Sequence, residues 1–406
     1  MEKNNKTLNV PNLRFPEFSG EWEKTSIGEC FSKVENGLTY DTDNTSGVPV
    51  TRIETISDKS INYDRVGYAN IDDKISKYEM QYGDVLFSHI NSLKHIGKTA
   101  FYDAAQPLYH GMNLLLLRAK KLLDSKFLYY TLNTHKFLHR CQVLANQAVN
   151  QASINTKELK SINISVPLMQ EQQKISGLIS LLDERIKTQK KIIEDLKKLK
   201  DAINNSLHHN IKNYQIFSFN ELGNDYSGLT GKSSDDFGYG YPYISYLNVF
   251  RNNIVTDGHF DYVKVADGER QNIVQHGDLL FTLSSETPCD VGIGAIYLGE
   301  TYPLYLNSFC FGVHLTNREH IFRPYLAHFV ASQYFRRTIL PFAQGSTRYN
   351  LMKSDFMKHK FCFPSFERQK EIHNALHALS VKIQNEEVCL NRYSIQKQYL
   401  LTQMFI

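Results

Sequence analysis

Two stretches of the chain carry apolar residues in an alternating four-and-three spacing. In the first they are Ile175, Ile179, Leu182, Ile186, Ile193 and Leu196; in the second, Ile372, Leu376, Leu379, Ile383, Leu390 and Tyr393. Each residue of the second set lies 197 positions after its counterpart, and the one missing apolar site repeats as well, as Gln189 and Glu386. An apolar seam every 3.5 residues with charged flanks is the pattern of helices that pack along their length. Both stretches are therefore predicted to be long helices, over 167–210 and 364–406.

The repeat continues upstream. Gly83-Asp84-Val85-Leu86-Phe87-Ser88 matches Gly277-Asp278-Leu279-Leu280-Phe281-Thr282, and Gly37-Leu38-Thr39 matches Gly228-Leu229-Thr230. Between these anchors the residues diverge, but short β-branched and aromatic runs such as 48–53 and 243–249 recur among Gly, Asn and Asp turns. Each larger segment, 1–166 and 211–363, is thus expected to be a β-rich domain. Each also holds a candidate helix, Ser125 to Val143 and Arg323 to Leu340. The fold class is α+β, ordered domain, helix, domain, helix, with an internal pseudo-twofold repeat.

Composition narrows the picture little. Hydrophobic residues make up 42% and charged residues 22% of 406 positions, which is ordinary globular usage and argues against a disordered or fibrous chain. The six cysteines form no C-x-x-C pair, so neither a zinc site nor a disulfide framework is expected. No apolar run approaches roughly 18 residues, and the expected location is the cytoplasm. A formal charge of +4 is too small to establish a nucleic-acid partner.

The helix start Pro167-x-x-x-Glu171-Gln172-Gln173-Lys174-Ile175, met again as Pro364-x-x-x-Arg368-Gln369-Lys370-Glu371-Ile372, resembles the conserved regions of type I restriction-modification specificity subunits. The opening Asn12-Leu13-Arg14-Phe15-Pro16-Glu17-Phe18 with Trp22, the Gly83–Phe87 run and Asp355-Phe356 ahead of Phe361 to Pro364 are similar to the same family. Arg368 in place of an acid is the one departure. The resemblance implies two target-recognition domains reading the two parts of a split, asymmetric DNA target. It implies two helices packed as an antiparallel coiled coil that spaces the domains and docks two modification (methyltransferase) subunits. Restriction subunits, S-adenosylmethionine, ATP and magnesium are then expected in the full complex and not in this chain. A helix from Leu168 to Leu207 would span about 60 Å, more than the roughly 34–36 Å between successive major-groove contacts.

Major-groove reading uses Arg or Lys toward guanine and Asn or Gln toward adenine, while Lys, Arg and backbone amides position phosphates. On that ground the candidate DNA face in the first domain comprises Thr51, Arg52, Ser88, His89, Asn91, Lys94, His95, Gln147, Asn150 and Gln151. In the second it comprises Tyr243, Ser245, Thr282, Ser284, Ser285, Arg348, Tyr349 and Asn350. Turn formation alone would also account for Asn, Ser and Gly in such loops.

No catalytic set emerges. The run Asp236-Phe237-Gly238-Tyr239-Gly240-Tyr241-Pro242-Tyr243 lacks the residues of an amino-methyltransferase motif and reads as a turn entering a strand. Gly292-Ile293-Gly294 does not complete a dinucleotide fingerprint, since Tyr297 stands at the third glycine. His135 and His139 lack the glutamate and third ligand of a metal motif, and Glu158-Leu159-Lys160 reads as a solvated turn. Two alternatives stay open. A scaffold without DNA binding needs only the helices and leaves the two diverged domains without a role; a single-chain enzyme needs a nucleotide fingerprint and a catalytic motif.

Overall fold

The computed structural model describes residues 8–41, 43–57, 59–70, 75–148, 151–209, 214–317 and 319–406. The chain divides into two compact units, one made of 1–189 with 389–406, the other of 190–388.

In the first unit the strands used below are β1 (Glu23–Ser26), β2 (Phe31–Asn36), β3 (Val85–Phe87), β4 (Ile90–Asn91), β5 (Thr99–Phe101), β6 (Leu115–Ala119), β7 (Asn146–Ala148), β8 (Gln151–Ser153) and β9 (Asn163–Val166). An antiparallel sheet runs in the order β2-β6-β3-β5, while β1 pairs with β9. Val85, Leu86 and Phe87 are all buried, so β3 reads as an unbroken apolar run because both of its faces are covered.

The helices used below are α1 (Ser125–Leu132), α2 (His135–Leu144) and the first half of α3 (Met169–His209). Glu158-Leu159-Lys160, expected as a solvated turn, lies in a further short helix, Thr156–Ser161, with Leu159 buried. The single helix expected over 125–143 is two. Asn133 closes α1, and Thr134 opens α2 by accepting the Phe137 amide at 3.3 Å, so the local hydroxyl cap overrides a continuous apolar pattern.

The second unit repeats this plan with β10 (Gln215–Phe217), β11 (Gly223–Ser227), β12 (Phe237–Ile244), β13 (Leu279–Thr282), β14 (Ser284–Ser285), β15 (Gly294–Tyr297), β16 (Cys310–Leu315), β17 (Ala343–Gln344), β18 (Tyr349–Leu351) and β19 (Phe361–Phe363). Its main sheet runs β11-β16-β13-β15, with Ile254–Val255 added parallel to β15, and β10 pairs with β19. The helices used below are the second half of α3, α4 (Tyr246–Arg251), α5 (Leu326–Val330), α6 (Gln333–Ile339) and the first part of α7 (Phe366–Gln403).

Two expectations need correction. The helix over 323–340 is again divided, here by Ser332, whose hydroxyl accepts the Phe335 amide at 3.2 Å. The run 243–249 is strand only to Ile244. From Tyr246 it is helix, because Tyr246, Val249 and Phe250 fall on one helical face, with Val249 buried and the Tyr246 and Phe250 rings stacked at 5.8 Å.

Each unit contains its own antiparallel helix pair. In the first, Ile175, Ile179 and Leu182 of α3 share a core with Leu400, Leu401, Met404 and Phe405, and Asp183 pairs with Lys397. In the second, Ile372 and Leu376 of α7 are buried with Ile203 and Leu207 packed against them, and Lys197 meets Glu387 at 2.7 Å. Ile193 and Ile383 are buried, whereas Ile186, Leu196, Leu379, Leu390 and Tyr393 are half-buried.

The Gly-Leu-Thr anchors have a steric cause. A Cβ at Gly37 would lie 2.0 Å from the His110 carbonyl oxygen, and one at Gly228 would lie 2.0 Å from that of Asn307. The leucine amides that follow bond at the same approach, Leu38 to the His110 carbonyl and Leu229 to the carbonyl of Leu306, beside Asn307. Gly37→Ala is therefore expected to destabilise the first unit by about 3 kcal/mol, read by urea unfolding; a loss below about 0.5 kcal/mol would rule out the close approach.

Candidate nucleic-acid interface

The two glycine-aspartate turns set up the strands from which the polar loops leave. Gly83 and Gly277 hold φ of +91° and +85°, a left-handed conformation that favours glycine. Asp84 then accepts the Gln81 amide at 2.8 Å and forms a bidentate pair with Arg118, both contacts at 2.7 Å. Asp278 likewise accepts the Gln275 amide at 2.8 Å, with Tyr226 Oη and His314 Nδ1 each 2.8 Å from the same carboxylate oxygen. The motif thus fixes where β3 and β13 begin, and so where their loops emerge.

Beyond each strand the chain enters a small three-stranded antiparallel sheet. In the first unit β8 lies between β7 and β4, with Ala152 opposite Asn91 and Gln147. In the second, β18 lies between β14 and β17, with Ser284 opposite Asn350 and Ser285 opposite Tyr349. Segments more than 60 residues apart in sequence are brought side by side, which the sequence could not place.

Not every candidate side chain reaches solvent there. Ser88 is buried and its backbone bonds Lys98 and Gly97; Asn91 Nδ2 donates to Ser88 Oγ at 3.2 Å. His89 is buried, and burial with His110 nearby holds its imidazole down at about 4, neutral at pH 7. Lys94 is exposed on the turn Leu93–His95, with Asn91 and His95 half-exposed beside it. Gln147 and Gln151 lie on β7 and β8, and Asn150 lies outside the described residues. Thr51 is buried in a separate region, its hydroxyl accepting the Gly111 amide at 2.9 Å, and Arg52 is half-exposed next to it.

In the second unit Thr282 is buried and bonds across its loop, accepting the Ile293 amide at 3.0 Å. Ser284 is buried, Ser285 and Tyr349 are half-exposed, and Arg348 and Asn350 are exposed. The Arg348 guanidinium sits 5.1 Å above the Phe309 ring and donates to Ser284 Oγ at 3.2 Å. Tyr243 is buried in a side core with Leu229, Val263 and Tyr305, so it belongs to the scaffold. Ser245 is half-buried and donates to Asn248 Oδ1, while the adjacent Tyr246 hydroxyl donates to the Ser284 carbonyl at 3.0 Å. Arg336, which no sequence signal singled out, donates to the carbonyls of Cys289, Val291 and Gly292 and so pins the loop facing this sheet.

The family model described as "Type I restriction modification DNA specificity domain" matches twice, over residues 19–198 and 211–392. The chain belongs to this DNA specificity family. It is 30% identical to a protein assigned as the specificity subunit of a type I restriction enzyme of Methanocaldococcus jannaschii, over 94% of this chain and 92% of that one. Its fold is similar to the crystal structure of a type I restriction-modification S subunit from M. genitalium, with a TM-score of 0.55, 17% identity and coverage of 98% and 99%. It is also similar, with a TM-score of 0.58, 13% identity and coverage of 94% and 96%, to a chain from a structure concerned with complex assembly and conformational transition of the type I restriction-modification system.

The repeated helix starts of this specificity protein are locks. Gln172 is buried, donating to the Pro167 carbonyl at 2.8 Å and accepting the Asp124 amide at 2.9 Å. Gln369 does the same with the Pro364 carbonyl at 2.9 Å and the Phe322 amide at 2.9 Å, and donates to the His320 carbonyl at 2.8 Å besides. Glu171 is buried, clamped by Arg14 at 2.7 and 2.8 Å with Trp22 Nε1 at 3.3 Å. At the matching position Arg368 is exposed and pairs with Glu371, so the departure from the repeat has a location and a partner. Arg14→Ala strands the Glu171 carboxylate and is expected to cost about 3 kcal/mol. Thermal unfolding checks this, and an unchanged transition would contradict the clamp.

Proposed function

We propose that the chain is a non-catalytic subunit that reads a bipartite DNA target, one part per unit, and docks two modification subunits along its helices. The reading rests on the way both units gather the polar loop after the glycine-aspartate strand and a polar hairpin onto one small sheet. In the second unit that sheet carries exposed Arg348 and Asn350. These are the side-chain types suited to guanine and adenine edges. Lys94, Asn91, Gln147, Asn150 and Gln151 have the corresponding role in the first unit, and the buried Thr51, Ser88, His89, Thr282 and Ser284 position their loops. Sequence spacing on the DNA follows the helix length, and the restriction subunits join the same complex.

Chemistry belongs to the partners in this reading. S-adenosylmethionine, ATP and magnesium act there, and the partner takes the target adenine out of the stack, since a duplex base is out of reach in place. Among the described residues no group of three or more His, Cys, Asp or Glu is disposed to hold a metal ion. None of their helices is long and apolar enough to cross a membrane, and the proposed site of action is the cytoplasm.

The test exchanges residues 211–363 for the matching segment of another member and maps methylated sites. The expected outcome is a motif altered in one part and retained in the other. A motif altered in both parts would refute the division of labour.

A further inference from the structure

The internal repeat places two differently built joints at equivalent positions, where each domain rests on its own helix pair. In the first unit, Tyr130 of α1 donates to Asp183 Oδ2 at 2.8 Å and lies 3.1 Å from Ser180 Oγ. Lys397 pairs with that same Asp183 and sits 5.6 Å from the Tyr130 ring centroid. Phe405 stacks on Phe127 at 5.2 Å. A hydroxyl, a carboxylate and an ammonium close this joint, with each charge answered.

In the second unit all of those positions but that of Lys397 have changed. His328 stands for Tyr130, His377 for Ser180, His373 for Ser176, Ser380 for Asp183 and His208 for Phe405, while Lys200 keeps the place of Lys397. The His328 and His373 rings lie 5.3 Å apart, and His373 stacks on His377 at 5.3 Å. His208 stacks on Tyr325 at 5.5 Å, its Nδ1 2.8 Å from the Asn204 carbonyl and its Nε2 2.9 Å from the Tyr325 hydroxyl. Asn204 donates to the His328 carbonyl at 3.0 Å. His328 is 3% exposed and its Nε2 has no hydrogen-bond partner, while the Pro324 backbone lies against the His373 imidazole.

We infer that this histidine cluster is an acid-sensitive joint: uptake of protons at His328 and its neighbours loosens the second domain from its helix pair while the first domain stays seated.

The charges around His328 explain the asymmetry. From α3 it faces Lys200 and His208, and from α7 His373 and His377; each of these is a base. Asp201 is a carboxylate acting on Lys200, whereas the leading charge effects on His328 all come from basic groups. A proton placed on His328 therefore enters a buried site where its leading charged neighbours, an ammonium and three imidazoles, all oppose it. Burial and these neighbours hold His328 neutral down to about 3, and His208 and His373 are lowered as well, chiefly by burial.

A histidine in the unfolded chain takes up its proton near pH 6.5. The folded joint binds fewer protons than the open one, so its stability is complete above about pH 6.5. It is lost as the pH falls from there toward 3. For His328 alone, the shift from 6.5 to about 3 makes opening about tenfold more favourable at pH 5.5 than at neutral pH.

Hydrogen exchange of the full chain at pH 7.5 and 5.5, corrected for the intrinsic pH dependence of exchange, reads this without reference to DNA. Protection over 326–330 and 370–380 is expected to fall tenfold or more, and over 127–131 and 174–183 less than twofold. Equal loss in both joints, or loss in neither, would overturn the inference. His328→Gln is expected to shrink the acid response, and His328→Tyr with His373→Ser, His377→Ser, Ser380→Asp and His208→Phe to abolish it. If these variants do not fold, the comparison of the two joints in the unaltered chain still decides the matter.

Discussion

Replacing Gln369 by leucine is expected to destabilise the second unit by about 4 kcal/mol, with local opening between residues 320–322 and the start of α7. Gln369 is fully buried, and its amide serves the Pro364 and His320 carbonyls and the Phe322 amide. Leucine fills the volume but leaves three backbone groups unpaired. Each unmet buried group costs about 1–3 kcal/mol. Gln172→Leu in the first unit strands only two such groups, the Pro167 carbonyl and the Asp124 amide, and is expected to cost about 3 kcal/mol. Urea unfolding of both variants checks the amounts and their order. A Gln369→Leu cost below 1 kcal/mol would show that the glutamine fills space and does not lock the domain to the helix.

Arg348→Ala is expected to weaken binding of the assembled complex to its target duplex about thirty-fold, from the roughly 2 kcal/mol that a good side-chain contact to a base edge contributes. The side chain is exposed, so stability should change by less than about 0.5 kcal/mol. Its guanidinium is held over Phe309 and tied to Ser284, which limits the orientations it loses on binding. Base reading and phosphate positioning separate cleanly. A base contact relaxes one position of the motif, whereas a phosphate contact weakens all sequences alike and reduces the salt slope by about one. Arg348→Lys should rescue only the second kind, because an ammonium cannot reproduce the planar fork. Unchanged affinity in the alanine variant would remove Arg348 from the DNA face. Thr282→Val should behave in the opposite way, since this buried hydroxyl bonds the Ile293 amide: stability falls first and binding only through it.

The repeat made much of the fold legible, because helix periodicity and the Gly-Leu-Thr and Gly-Asp anchors answer to local physics. A positive φ at Gly83 and Gly277 and a carbonyl pressed against Gly37 and Gly228 strongly favour glycine there. Breaks in the shorter helices were hidden, since Thr134 and Ser332 act through single hydroxyl caps inside an apolar pattern that continues past them. The strand-to-helix change at Ser245 was hidden because the aromatic and β-branched residues that favour strands continue from Tyr243 through Tyr246, Val249 and Phe250, although the last three have helical spacing.

The candidate site was legible by residue type but not by burial. Ser88, Thr282 and Tyr243 look like surface residues in sequence and are buried, because loop hydroxyls and aromatic strand residues also satisfy backbone amides and fill cores. Arg336 gave no signal at all, since its role arises from three carbonyls about 45 residues away.

The central claim is that this chain confers a two-part DNA specificity on a methylating partner. The most direct measurement is a genome-wide methylation map, by single-molecule sequencing, of cells carrying the cognate modification subunit with and without the chain. The account predicts a split adenine-methylated motif present only with the chain. Assembly of the complex with no new motif, or a motif that appears without the chain, would contradict it.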